Sequence, residues 1–136
     1  MKLNLNNINW LYLSIKMSDF TEVGTQFVNH FYSTFNQPRE QLMTLFSDQS
    51  MLTFEGEQFM GQEAIYGKLS SFGNVSHKIN TLDVHPTVNN GIIAMISGEL
   101  SIEGGNPLMF TEVFHLCVGG QQGYYIHNEI FRLSLS

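Results

Sequence analysis

At 136 residues the chain has the length of one domain, able to bury about two thirds of the surface its unfolded form would expose. Six Lys and Arg stand against twelve Asp and Glu, a formal charge of -6, so the basic surplus that neutralises phosphates is missing, which argues against nucleic acid and anionic membrane as partners. The single cysteine, Cys117, has no internal disulfide partner and sits in an apolar run, where a buried, inert thiol is expected rather than a nucleophile.

The first sixteen residues, MKLNLNNINWLYLSIK, mix Asn with Leu, Ile, Trp and Tyr without a regular helical period. Their apolar part, Ile8 to Ile15, is too short to span a bilayer, and no small-residue cleavage site follows it. Residues 1–16 therefore read as an extension of unassigned role ahead of a domain over 17–136.

From Ser18 the pattern is helical. Asp19 and Glu22 have capping-box spacing, and Phe20, Val23, Phe27, Val28 and Phe31 form one stripe, which predicts a long amphipathic helix ending near Asn36. Pro38 suits the first turn of a second, short helix with Leu42, Leu45 and Phe46 on its apolar face. Met51 to Glu55 reads as a strand, Gly56 as a tight turn with a short return through Phe59, and Gln62 to Ser71 as helix with Ile65 and Leu69 on one side.

The second half changes period. Strand-like runs at Val75–Val84, Ile92–Ile102, Leu108–Val118 and Tyr124–Leu135 are separated by Asn-Gly and Gly-rich breaks, as in an antiparallel meander. Helices followed by such strands give an α+β domain, N-terminal helices packed on a mainly antiparallel sheet, with no internal repeat. The run Ile92, Ile93, Ala94, Met95, Ile96 is apolar on both faces, so the sheet needs cover on both sides. Helices serve one face, and a second copy of the chain is the expected cover for the other.

Five histidines, His30, His77, His85, His115 and His127, lack the spacing of a metal site, so no metal is expected. A nucleophile elbow, a P-loop and a dinucleotide fingerprint are absent. An acid-base site assembled from Glu55, His77, Asp83 and Tyr32 in a curved-sheet cavity is physically possible. Taken singly, each acid has an ordinary structural use, and Glu55, beside Gly56, is expected to be exposed.

Three ordered segments carry a resemblance: LTFEGEQFMG, GQEAIYGKLSS and the carboxyl-terminal NEIFRLSL are similar to nuclear transport factor 2. The resemblance covers the chain from about Ser18 onward and implies a cone-shaped α+β homodimer whose curved sheet encloses a hydrophobic cavity. It implies no catalysis and no cofactor. The implied function is import of the small GTPase Ran in its GDP form, with weak contacts to FxFG-repeat nucleoporins, and a location in cytoplasm and nucleus enriched at the nuclear pore.

By the same resemblance Glu55 pairs with a basic side chain of Ran, and Glu103, in the loop IEGGNP, belongs to the acidic rim. An aromatic side chain of Ran would enter a hollow at Phe54, Phe72, Leu108, Val113 and Phe131, with His77 nearby. Phe20 takes the aromatic position of the FxFG site, and Met95 and Ile130 match apolar positions of the dimer face. The alternative from another class is a small-molecule isomerase or dehydratase of the same superfamily, using an acid/His cavity. An enzyme would show a deep cavity with a desolvated acid; an adaptor would show a shallower hollow with Glu55 at its rim.

Overall fold

The computed structural model describes residues 10–119 and 123–134, with side chains from Asp19 onward. A 26-residue helix, α1 (Trp10–Phe35), leads through a short 3-10 segment (Arg39–Leu45) into the hairpin β1 (Phe46–Phe54) and β2 (Glu57–Met60). After α2 (Gln62–Leu69) come four long strands, β3 (Val75–Pro86), β4 (Ile92–Ile102), β5 (Leu108–Val118) and β6 (Tyr124–Leu133). They form one six-stranded sheet in the order β2-β1-β6-β5-β4-β3.

This is the expected α+β domain, with three differences of physical interest. The helix does not start at the Asp19–Glu22 capping signature but runs nine residues further back, to Trp10. No Pro or Gly interrupts Trp10–Ser18, so nothing in that stretch stops a helix, and a capping motif inside a helix has no free N–H groups to serve. Residues 1–9 of the expected extension lie outside the described residues, as do 135 and 136 at the end of the last predicted strand. The second difference is that β1 pairs with β6 in parallel, whereas every other pairing is antiparallel. Sequence neighbours carry no trace of that long-range pairing. Strand β1 also begins five residues before the expected Met51, because the polar run Ser47–Ser50 conceals it; Ser50 is buried and its hydroxyl donates to the Ile126 carbonyl.

The core lies between α1 and one face of the sheet. Val28, Phe31, Tyr32 and Phe35 of α1 meet Ala94 and Ile96 of β4 and Phe110 and Phe114 of β5, all at most 8 % exposed. The Phe31 and Phe114 rings meet edge-on at 4.9 Å. Strand alternation sends the other set of side chains to the opposite face. There Met95, Val113 and Ile130 form one cross-strand row, flanked by Thr53 on β1 and Asp83 on β3.

Candidate functional site

Where the sheet curves past the end of α1, the inner face leaves a cavity of about 140 Å³. Phe54 (β1), Phe131 (β6) and Phe72, in the segment after α2, form its aromatic wall. Phe54 stacks on Phe131 at 4.4 Å with the rings 8° from parallel, and Phe72 tilts against Phe54 at 5.0 Å. Leu69, Leu100, Ile102 and Leu133 add aliphatic surface to the lining, with Phe31, Phe35 and Val75 behind them. Arg39 fastens the segment that carries Phe72, donating to the carbonyls of Leu69, Phe72 (3.2 Å) and Gly73 (2.9 Å).

The rim is charged. Phe54 and Glu57 are opposed across the hairpin, so Glu55 and Gly56 are its two turn residues, both with positive φ (50° and 86°), the requirement of a type I′ turn. Glu55 is consequently not the next residue of an alternating strand: its N–H donates to the Phe131 carbonyl (3.0 Å) and its carboxylate accepts the Leu133 N–H. The turn thereby brings Phe54 in the wall and Glu55 at the lip to one site, and leaves Glu55 half-buried rather than fully exposed. Across the mouth, Glu103 is exposed at φ 51° and its carboxylate accepts the Asn74 N–H (3.1 Å). Lys68 of α2 pairs with Glu57 at 3.2 Å and holds its ammonium 5.3 Å from the Phe54 centroid and 5.6 Å from that of Phe72.

Two acids occupy the depth of the cavity. Glu112 and Glu129 are 3 % and 2 % exposed, and both line the hollow. The Tyr32 hydroxyl donates to Glu112 (2.8 Å), and a hydrogen bond joins the two carboxyl groups. Burial raises the pKa of both, and for Glu129 the neighbouring Glu112 charge raises it further, so the pair retains a proton well above the usual carboxylate range. His77 stacks on Tyr32 at 4.3 Å; burial, with a contribution from the Arg39 charge, pushes its pKa down to about 4, so the ring is neutral. Sequence reasoning did not single out Glu112 or Glu129. The signal was the alternation Phe110-Glu112-Phe114 and Glu129-Phe131, which places each acid inward with its aromatic neighbours.

A model of the nuclear transport factor 2 domain matches residues 23–133 of this chain. Nuclear transport factor 2 of Kluyveromyces lactis is 45 % identical over 122 residues, covering 87 % of this chain and 97 % of that protein. The Schizosaccharomyces pombe protein of the same name is 42 % identical over the same share of this chain and 98 % of its own. The solved structure of nuclear transport factor 2 from Cryptosporidium parvum superposes with a TM-score of 0.80 at 43 % identity, covering 85 % of this chain and 94 % of that one. The chain belongs to the nuclear transport factor 2 family.

Within this nuclear transport factor 2 domain the expected site residues separate into distinct places. Phe54, Phe72, His77 and Phe131 line one hollow. Leu108 lies on the same inner face, paired with Leu100 and half-buried against the core beside that wall. Val113 does not belong to the hollow: it alternates with Glu112 and Phe114, points to the outer face, and sits between Met95 and Ile130. Asp83 is on that outer face too, opposite Met95 and exposed, so the imagined cluster of Glu55, His77, Asp83 and Tyr32 does not exist as one site. Phe20 is 7 % exposed and packed in the core, where it anchors α1 and offers little open surface. Met95 and Ile130 are 48 % and 50 % exposed, apolar side chains at the centre of the outer face. Among the described residues no group of His, Cys, Asp and Glu is arranged to hold a metal ion, and no helix is long and apolar enough to cross a membrane.

Proposed function

We propose that this chain is a nucleocytoplasmic transport adaptor that binds Ran in its GDP form at the aromatic hollow, contacts FxFG-repeat nucleoporins, and works as a homodimer moving between cytoplasm and nucleus through the nuclear pore. The observation that carries the reading is the lip of the hollow, where a turn holds the Glu55 carboxylate beside the Phe54–Phe131 stack. An aromatic side chain inserted between apolar walls supplies most of the affinity of such an interface, and rim charges supply orientation. Glu55 and Glu103 are the acids for basic groups of Ran, and Phe54, Phe72 and Phe131, with His77 and Leu108 behind them, receive the ring. Phe20 contributes to the FxFG site by fixing the α1 segment on which that site is built, and Met95, Val113 and Ile130 form the dimer face.

The reading is tested by a pull-down of Ran loaded with GDP or GTP, run beside an FxFG-repeat fragment. Retention of the GDP form over the GTP form, together with the repeat fragment, is expected; binding of neither partner would overturn the transport role. Glu55→Lys should abolish Ran-GDP binding, since breaking a desolvated charge pair at an interface removes about 2–5 kcal/mol and the new lysine adds repulsion. The Glu112–Glu129 pair favours a second reading, a small-molecule isomerase or dehydratase. A group that holds its proton so firmly is a poor general base at neutral pH, which ranks this reading below the adaptor.

A further inference from the structure

Strand β3 closes one end of the sheet: β4 lies on one side of it, and among the described residues no strand pairs with the other. Two contacts fix which backbone groups lie on the open side. The Glu103 N–H donates to the Asn74 carbonyl (2.8 Å), and a Cβ on Gly98 would collide with the Lys78 carbonyl oxygen, so Asn74 and Lys78, with Ser76 between them, turn their backbone groups towards β4. The N–H and C=O groups of Val75, His77 and Ile79 therefore point to the open edge. The bulge between Ile79 and Thr81 ends this row, which is about 13 Å long.

Helix α1 runs beside this edge. Asn29, Ser33 and Asn36 share one stripe of the helix, at i, i+4 and i+7, and with Ser76, His77 and Ile79 they line a crevice of about 460 Å³. Asn36 already acts as a strand partner would: its Oδ1 accepts the Val75 N–H at 2.9 Å, in the place of a carbonyl from a further strand. Among the described residues no side chain takes that place at His77 or Ile79. A row of unpaired backbone groups is a template for one more strand, which an extended peptide supplies in strand-addition complexes.

The walls choose among occupants. None of the described residues that line the crevice is Asp, Glu, Lys or Arg, so a charged side chain entering it would lose water without gaining an ionic partner. The helix stripe offers amides and a hydroxyl, which suit small polar side chains such as Ser, Thr, Asn and Gln. A second copy of this chain fits poorly, because the exposed positions Asn29, Ser33, Asn36 and Ser76 supply no apolar centre of the kind a stable dimer interface needs.

We infer that the crevice between α1 and β3 docks an extended, uncharged segment of a partner protein, which adds a strand along Val75–Ile79 and presents Ser, Thr, Asn or Gln side chains to Asn29 and Ser33. This goes beyond the adaptor reading and does not depend on it. Among the described residues only His77 lines both the crevice and the aromatic hollow.

The test is selection of binders to the full chain from a random peptide library displayed on phage, followed by NMR titration with each selected peptide. At least one peptide should shift the amide signals of His77 and Ile79 together with those of Asn29 and Ser33; a selection in which none does so would overturn the site. N-methylation of that peptide, one residue at a time, should weaken binding on the order of tenfold at every second residue and change it little at the residues between. Losses that ignore this period of two, or no losses at all, would overturn strand addition. Replacing its Ser, Thr, Asn or Gln residues by Lys or Glu should also weaken binding, and unchanged affinity would overturn the preference for an uncharged segment. Ser33→Arg, at an exposed helix position, should abolish the shifts at β3, and their persistence would overturn the role of the helix wall. If that variant does not fold, the N-methyl series decides without it. Sedimentation velocity of Ser33→Arg should give the wild-type mass; half that mass would show that the edge joins two copies of this chain and overturn the assignment to a partner protein.

Discussion

The carboxylate of Glu55 accepts the backbone N–H of Leu133, tying the β1–β2 turn to the end of β6, while the neighbouring Phe54 and Phe131 rings stack face to face. The half-buried acid at the lip is therefore both a structural clasp and a charge at the mouth of the hollow, and two substitutions separate these roles. Glu55→Ala should lower stability by about 1–2 kcal/mol, because it leaves the Leu133 N–H without its partner. Glu55→Gln keeps an oxygen acceptor and should change stability by less than about 0.5 kcal/mol, yet remove the charge proposed to meet Ran. Urea unfolding of both variants checks the first statement, and Ran-GDP retention by the Gln variant checks the second.

His77 gives the protein an acid-labile limb. Its pKa of about 4 lies below the ordinary 6.5, so between these values the unfolded chain binds a proton that the folded chain refuses. Stability from this residue is complete above about pH 6.5 and is lost as pH falls towards 4. His77→Phe, which keeps an aromatic ring against Tyr32, should flatten the fall in unfolding free energy across that window; urea midpoints measured from pH 4 to 7 report it.

The Glu112–Glu129 pair works in the opposite direction. With pKa values raised above 4.5, the folded state holds protons that the unfolded chain releases, so the contribution is complete below 4.5 and is lost as pH rises through the raised values. Glu129→Gln replaces a protonated carboxyl by a neutral isostere and should raise stability at pH 8 by about 1 kcal/mol or more, with little change at pH 5. Unfolding curves of this variant and the wild type at the two pH values carry the comparison.

How much of this was legible in the sequence follows from the range of each signal. Strand β4 matches its predicted limits, Ile92 and Ile102, because Asn-Gly and Gly-Gly breaks mark its two sides. The start of α1 was misread because the Asp19–Glu22 spacing imitates a cap and only the backbone reveals that the helix continues through it. The parallel β1–β6 pairing joins residues such as Phe54 and Phe131, and no local pattern encodes such a partner. Phe54, Phe72, His77 and Phe131, which the resemblance groups, line one hollow, but strict alternation in β5 assigns Val113 to the opposite face. Glu112 was passed over because an acid in a strand is ordinarily read as outward-facing, although Phe110 and Phe114 on either side of it are both buried.

Gly98 is the position in the sheet where a side chain has no room. It sits opposite Ile79 at the β3 bulge, and a Cβ there would lie 2.1 Å from the Lys78 carbonyl oxygen and 3.2 Å from the Phe110 ring. The first contact is with backbone inside the β-ladder, which cannot swing aside as a flexible side chain would. Gly98→Ala should destabilise the domain by about 2 kcal/mol or more, read as a lowered urea midpoint. Gly67→Ala on α2, where a Cβ would meet nothing within 4 Å, is the matched control and should be neutral or stabilising.

The outer sheet face makes the remaining prediction. Met95, Val113 and Ile130 run across three adjacent strands as one apolar row, with Ile93 (39 % exposed) one step along β4 on the same face. If this row is the centre of a twofold dimer, every residue in it is met by the same face of the partner, so one substitution acts twice. Met95→Glu buries two unpaired carboxylates, a loss of several kcal/mol, and should leave a folded monomer. Sedimentation velocity should then report half the mass of the wild type, with an unchanged far-ultraviolet circular dichroism spectrum. Tyr66→Glu, a comparably exposed change on α2 at 37 %, should remain dimeric. A wild-type chain that sediments as a monomer at micromolar concentration would overturn the assignment of this face to a dimer. The hollow, on the opposite side of the same strands, would keep its geometry in either case, because Glu112 and Phe131 point away from Val113 and Ile130.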